Sequence, residues 1–212
     1  MKNKSGYWLF CAAFFGLMLM LASVSHALAS AVTDGLKTTI DRVINVVTDA
    51  KYKGDPQARR AKLRGIIHPK FDYIEMGKRS LARNWRDLSP QERRDFIDLF
   101  GQLLENSYAK KIESYQNEEI KYVDEVIKGK YAMVKTEIVR KNDVIGVDYK
   151  LIQNGNEWQV YDFIVEGVSL IRNYRSQFNK IIVKESFAEL MKKLGKKVKD
   201  LEAGTANDKD EI

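Results

Sequence analysis

An α+β fold follows from three features of the chain. Apolar residues recur at helical spacing from Val32 to Tyr115, the period falls to two from Ile120 to Val165, and helical spacing returns at Ser169. The alternating segments are joined at Gly129, Asn142-Asp143 and Asn154-Gly155, links short enough to impose hairpins. Helices, then an antiparallel meander of four or more strands, then helices make an α+β domain whose sheet must be covered by those helices. A twisted sheet wrapped in this way forms a cone, either filled or hollow.

The first 29 residues stand apart. Lys2 and Lys4 precede an apolar run from Tyr7 to Val24, and Ala27-Leu28-Ala29 forms a small-x-small cleavage signal. We expect a cleaved export signal over residues 1–29, with a retained membrane anchor as the alternative. Cleavage would remove 29 of 212 residues and leave 183, ample for one domain over 30–203. Cys11, the one cysteine, would leave with the signal. The exported chain would then rely on its core and not on disulfides. Two of the seven net positive charges leave as well, and an excess of about +5 favours anionic partners only weakly.

Val32, Leu36, Ile40, Val43, Ile44 and Val47 predict an opening amphipathic helix. Asp55-Pro56 restarts a helix, with the acid as cap and proline at the first helical position, and His68-Pro69 ends it. A shorter helix is expected from about Tyr73 to Ala82. Ser89-Pro90-Gln91-Glu92 carries the residues of a capping box, opening a helix of about 26 residues. Strands are expected at Ile120–Ile127, Tyr131–Arg140, Val144–Gln153 and Glu157–Val165. Simple alternation in the fourth puts Trp158, Val160, Asp162 and Ile164 on one face, and Tyr161, Phe163 and Val165 on the other. Glu166-Gly167 breaks that strand. Helices are expected over Ser169–Lys184 and Ser186 to about Glu202, before a polar, disordered tail over 204–212.

Catalytic equipment is scarce. One histidine, His68, remains after the signal, which nearly excludes a metal site of the usual His or Cys type. No serine sits on a G-x-S-x-G turn, and neither phosphate-binding glycine motif occurs. No catalytic residue, metal or cofactor is assigned. The enzymatic alternative is an isomerase or dehydratase with Asp162 as base and Tyr149 or Tyr161 as proton donor. Against it stands a structural role, with Asp162 accepting from a tyrosine, Arg175 or a helix N-terminus. Export argues against nucleic acid as a partner, despite Trp85-Arg86 and Tyr174-Arg175. The lysines of the last helix suit either solvent or anionic lipid heads, and the arginines near residue 60 suit solvent or an acidic partner. An envelope adaptor with a solid core is a further alternative.

The run Glu157-Trp158-Gln159-Val160-Tyr161-Asp162-Phe163-Ile164-Val165-Glu166-Gly167-Val168-Ser169-Leu170, followed by Asn173-Tyr174-Arg175-Ser176-Gln177-Phe178, resembles the MlaC family, also called the toluene-tolerance family. Weaker similarity lies at Phe71-Asp72-Tyr73, at Trp85 with Ser89-Pro90-Gln91, Phe96 and Phe100, and at Tyr149 and Leu151. It covers roughly Lys62 to Leu194. The resemblance implies a nuclear-transport-factor-like cone that shelters phospholipid chains in the periplasm. It implies a shuttle between an outer-membrane lipoprotein complex and the substrate-binding subunit of an inner-membrane ABC transporter, maintaining outer-membrane lipid asymmetry. A hopanoid-like lipid is a variant cargo.

Physics fits a carrier without catalytic groups. Exposing roughly 30 methylenes of a two-chain lipid costs on the order of 24 kcal/mol at ~0.8 kcal/mol each, as an upper bound. An apolar cavity is sufficient to meet that cost. Face patterns and the matched motif nominate Phe100, Leu104, Val134, Val147, Tyr149, Leu151, Trp158, Val160, Val168, Ile171, Tyr174 and Phe178 as its wall. Asp162, Ser169 and Arg175 are expected to hold the strand-to-helix corner.

Overall fold

The computed structural model describes residues 25–205, and side chains from residue 31. Most of the expected export signal and tail therefore lies outside the described residues. The first described helix, α1, is Ser25–Thr48. It is followed by α2 (Pro56–Ile67), α3 (Tyr73–Leu81) and α4 (Pro90–Glu113). The starts are written in the sequence. Asp55 accepts from the Ala58 amide and Asp72 from the Glu75 amide. Ser89 and Glu92 close a reciprocal capping box. A 3-10 turn, His68–Lys70, ends α2 at the expected proline.

The strands are β1 (Glu119–Lys128), β2 (Tyr131–Val139), β3 (Val144–Asn154), β4 (Glu157–Val165) and a short β5 (Val168–Ser169). They form one antiparallel meander in chain order. Helices α5 (Leu170–Lys184) and α6 (Phe187–Glu202) close the described chain, capped by Ser169 and Ser186. The α+β class and the strand order agree with the sequence reading. The short β5 was not expected. It exists because Glu166 and Gly167 both take positive φ and fold the chain straight back onto β4.

The sheet contains a bulge that overturns one expectation. Lys150 pairs with Asp162, but the next residue, Leu151, pairs with Val160, leaving Tyr161 as the extra residue. Alternation restarts one residue out of step. Trp158, Val160, Phe163 and Val165 consequently share one face, with Leu151, Tyr149 and Val147 of β3 and Ala132, Val134 and Thr136 of β2. Asp162 and Ile164 lie on the opposite face. The expected grouping of Asp162 with Trp158 and Val160 is therefore corrected; one inserted residue moved every later side chain of β4 across the sheet.

The face carrying Trp158 is the inner one. Helix α1 lies across it, with Val32 and Leu36 buried on Ala132, Val134, Leu151 and Val160. A second cluster unites α3, α4, α5 and α6 around Phe96, Phe100, Phe178, Leu190 and Leu194. A third joins α1 to α2 through Val46, Tyr52, Leu63 and Ile66. Phe71 and Phe163 touch both the sheet cluster and the helical cluster. Asp72 donates its amide to Val160 at 2.9 Å, fastening the start of α3 to β4.

Candidate binding interior

The inner face of β2, β3 and β4 is apolar along its length. Val134, Leu151 and Val160 are buried together, with Tyr149 and Trp158 against them. Val147 is buried on the same face, and its carbonyl accepts from Thr136 Oγ1 at 2.8 Å. These six nominated residues form a single surface. Phe100, Leu104, Ile171, Tyr174 and Phe178 form a separate group in the helical layer, where Phe100 meets Tyr174 at 5.2 Å and Phe178 at 5.4 Å. Val168 belongs to neither. It is 62% exposed on β5 and packs in none of the three clusters, so its place in the wall is corrected; paired with the exposed Val165, it lies at the open end of the sheet.

Four aromatic rings connect the two groups. Phe163 meets Phe71 at 5.4 Å, Tyr149 at 6.1 Å and Tyr108 of α4 at 6.2 Å. Phe163 escaped the sequence reading because the bulge hid its face. Tyr108 carried a usable signal: it continues the Phe100, Leu104 spacing by one further turn. The tyrosines here are poor acids. Enclosure pushes the Tyr149 hydroxyl up to about 12. Burial likewise raises Tyr108, and Tyr122 of β1, well above the ordinary tyrosine range.

A groove of about 640 Å³ opens beside this interior. Arg64 and His68 line it from the end of α2, Phe71 to Ile74 from the start of α3, and Gly101 and Glu105 from α4. Glu105 accepts from Tyr73 at 3.3 Å and pairs with Arg64 at 3.0 Å. The Tyr73 ring lies over Gly101, where a Cβ would stand 3.4 Å from it. None of the nominated wall residues lines this groove. Its inner limit, Phe71, is also the ring against Phe163, so the groove adjoins the sheet's inner face.

The corner after β4 is assembled largely as expected. Asp162 accepts from Ser169 Oγ at 2.7 Å and from the Ile171 amide, at the first turn of α5, at 3.0 Å. Ser169 in turn caps α5 by accepting from the Arg172 amide. Arg175 takes no part; it is exposed, and the cation near Asp162 is Lys150 at 3.6 Å. Tyr149 and Asp162 lie on opposite faces, and Tyr161 sits under the Arg79 guanidinium at 4.3 Å. Asp162 and Tyr149, one pairing of the isomerase alternative, are therefore not brought together, whereas Tyr161 stays beside Asp162.

The basic stretches have local partners. Arg59 and Arg60 both pair with Glu113, which with Arg64–Glu105 fastens α2 onto α4. On α6, Lys192 and Lys193 pair with Glu189 and Glu185. Among the described residues, no group of three His, Cys, Asp or Glu is arranged to hold a metal ion. No described helix is long and apolar enough to cross a membrane.

Comparison with known proteins agrees with this architecture. The family model for the MlaC protein matches residues 37–196. The intermembrane phospholipid transport system binding protein MlaC of Haemophilus influenzae is 27% identical over 151 residues, spanning 68% of this chain and 71% of that protein. The toluene tolerance protein ttg2D of Pseudomonas putida is 28% identical over 171 residues, 77% of this chain and 79% of its own length. Among solved structures, a phospholipid-binding protein from Ralstonia solanacearum, determined in complex with a phospholipid, superposes with a TM-score of 0.72. It shares 23% identity and covers 79% of this chain and 96% of its own. That likeness establishes the fold.

Proposed function

The chain belongs to the MlaC protein family, and from that premise we propose that it is a periplasmic phospholipid carrier. It takes the acyl chains of one lipid against the inner face of the sheet and shields them from water in transit. The cargo passes between an outer-membrane lipoprotein complex and the substrate-binding subunit of an inner-membrane ABC transporter. Support for the family assignment comes from the relatives whose names carry phospholipid transport or toluene tolerance.

The observation that carries the reading is the state of the inner face. Tyr149 lies against the buried sheet cluster yet is only half-buried, as are Tyr108 and Phe163 around it. Rings enclosed but not covered suit a surface that receives apolar chains. The groove beside Phe71 supplies a mixed polar border with Arg64, His68 and Glu105, chemistry suited to a head group at the mouth. A carrier needs nothing more reactive, since the free energy of sheltering hydrocarbon comes from area removed from water.

Lipid content tests the proposal. Protein purified under native conditions should carry co-extracted phospholipid visible by native mass spectrometry. Delipidated protein should reload from vesicles. Val147→Arg, placing a charge on the inner face, should abolish loading while the far-ultraviolet circular dichroism is kept. Wild-type protein that never takes up phospholipid would refute the carrier reading.

A further inference from the structure

Two tyrosine hydroxyls on the inner face lack acceptors. The Tyr122 hydroxyl is buried without a hydrogen-bond partner among the described residues. Tyr149, two strands away on β3, makes no hydrogen bond among them either. The two are close neighbours by register. Tyr122 pairs with Thr136 and Tyr149 with Val134, and these β2 residues are consecutive on the same face. The Thr136 hydroxyl is already committed to the Val147 carbonyl.

For Tyr122, a buried donor without an acceptor is costly, and few such groups persist in native proteins without a purpose. Burial keeps both hydroxyls neutral, and hence donors, across the physiological range. The neighbouring charges narrow the acceptor. Asp41 acts on Tyr122, and Glu125, three residues on, is held beneath α1 with its Oε1 unpaired. The Asp41 carboxylate near Tyr122 disfavours a phosphate there. Acyl methylenes accept nothing. The strongest neutral acceptor shared by diacyl phospholipids is the ester carbonyl, placed where the chains begin.

We propose that Tyr122 and Tyr149 donate hydrogen bonds to the ester carbonyls of the bound lipid and thereby select ester-linked over ether-linked cargo. This rests on the carrier reading and adds a specificity to it. A dialkyl ether lipid with the same head group and chains buries nearly the same hydrocarbon but lacks the carbonyl oxygens that project from the chain, offering only ether oxygens set back within it. A site built to hydrogen-bond a projecting carbonyl discriminates against the analogue whose acceptor is out of place.

The test compares delipidated wild type with Tyr122→Phe, Tyr149→Phe and the double variant. Each is offered vesicles of diacyl phosphatidylethanolamine or its dialkyl analogue of equal chain length, and bound lipid is counted by native mass spectrometry. Wild type should favour the diacyl lipid about five- to tenfold. The double variant should load the two alike, through loss of the diacyl preference. Unchanged far-ultraviolet circular dichroism and a cooperative urea transition certify the fold. Tyr122→Phe should also melt no lower than wild type, because it removes an unpaired buried hydroxyl. Equal loading of both lipids by wild type, or a preference that survives in the double variant, overturns the inference and leaves the carrier reading standing. If wild type loads neither lipid, both fall together.

Discussion

At the scale of single residues, side chains that hold the fold stand apart from those proposed to meet cargo. Asp162 is buried and accepts from both Ser169 and the Ile171 amide. Asp162→Ala should cost about 2–3 kcal/mol in urea unfolding, since it strands a buried amide and a hydroxyl. Lipid loaded per folded molecule should not change; a variant equally stable but unable to load would place Asp162 in the binding site instead. Tyr149 predicts a pH effect of definite sign. Its folded pKa is about 12 against 10.0 for a free tyrosine. Only the unfolded chain ionises between these values, so its contribution to stability is whole below about pH 10 and is lost as pH rises toward about 12. Urea unfolding of wild type and Tyr149→Phe at about pH 9 and about pH 11 should show a smaller alkaline loss in the variant. Asp162 and Tyr149 also mark what sequence conveyed. Two partners of Asp162, Ser169 and the start of α5, were legible because a serine cap follows the acid at a helix start, whereas Lys150 stood in place of the expected Arg175. The face of Asp162 was not legible, because a bulge is set by local twist and pairing that no residue type at Tyr161 announces.

At the scale of elements, the helix starts and strand ends were nearly all legible. Asp55, Asp72, Ser89, Ser169 and Ser186 each cap a helix, and each is a short oxygen-bearing side chain just before a periodic run. The hairpins at Gly129 and Asn154-Gly155 fall where the sequence put them, both glycines taking positive φ. The binding interior was legible only in part. The β2 and β3 faces follow strict alternation, whereas Phe163 and Val168 depend on the bulge and on the Glu166-Gly167 fold-back. How α1 is fastened was invisible, since its anchor comes from 92 residues away. Glu125 Oε2 accepts from the Thr33 amide at 2.8 Å and from its hydroxyl at 2.5 Å. Glu125→Ala should cost about 1–2 kcal/mol. Amide hydrogen exchange should quicken in α1 while α5 and α6 keep their protection. Equal quickening throughout would show that α1 is not fastened independently.

At the scale of the whole molecule, the sheet with α1 and the four-helix layer are two bodies of core that meet at Phe71 and Phe163. Phe163 touches β3 through Tyr149, α4 through Tyr108 and the start of α3 through Phe71, so three elements converge on one ring. This junction is where a carrier needs compliance. On the carrier reading, chains entering between sheet and helices must part them slightly without unfolding either, and the contacts of Phe163 are where the two bodies would separate. Truncating the ring therefore has two consequences. Phe163→Ala should lower stability by roughly 2–4 kcal/mol, the range for a large aromatic that is not wholly buried. It should also lower cooperativity, so that tryptophan fluorescence, with Trp158 on the sheet and Trp85 against the helical cluster, no longer tracks circular dichroism through urea unfolding. Loading with phospholipid should restore part of the loss, because a ligand bound only by the folded state stabilises it in proportion to the logarithm of its concentration over Kd. A single coincident transition in the variant, unmoved by lipid, would mean that the two bodies are joined elsewhere and that the cargo does not lie between them.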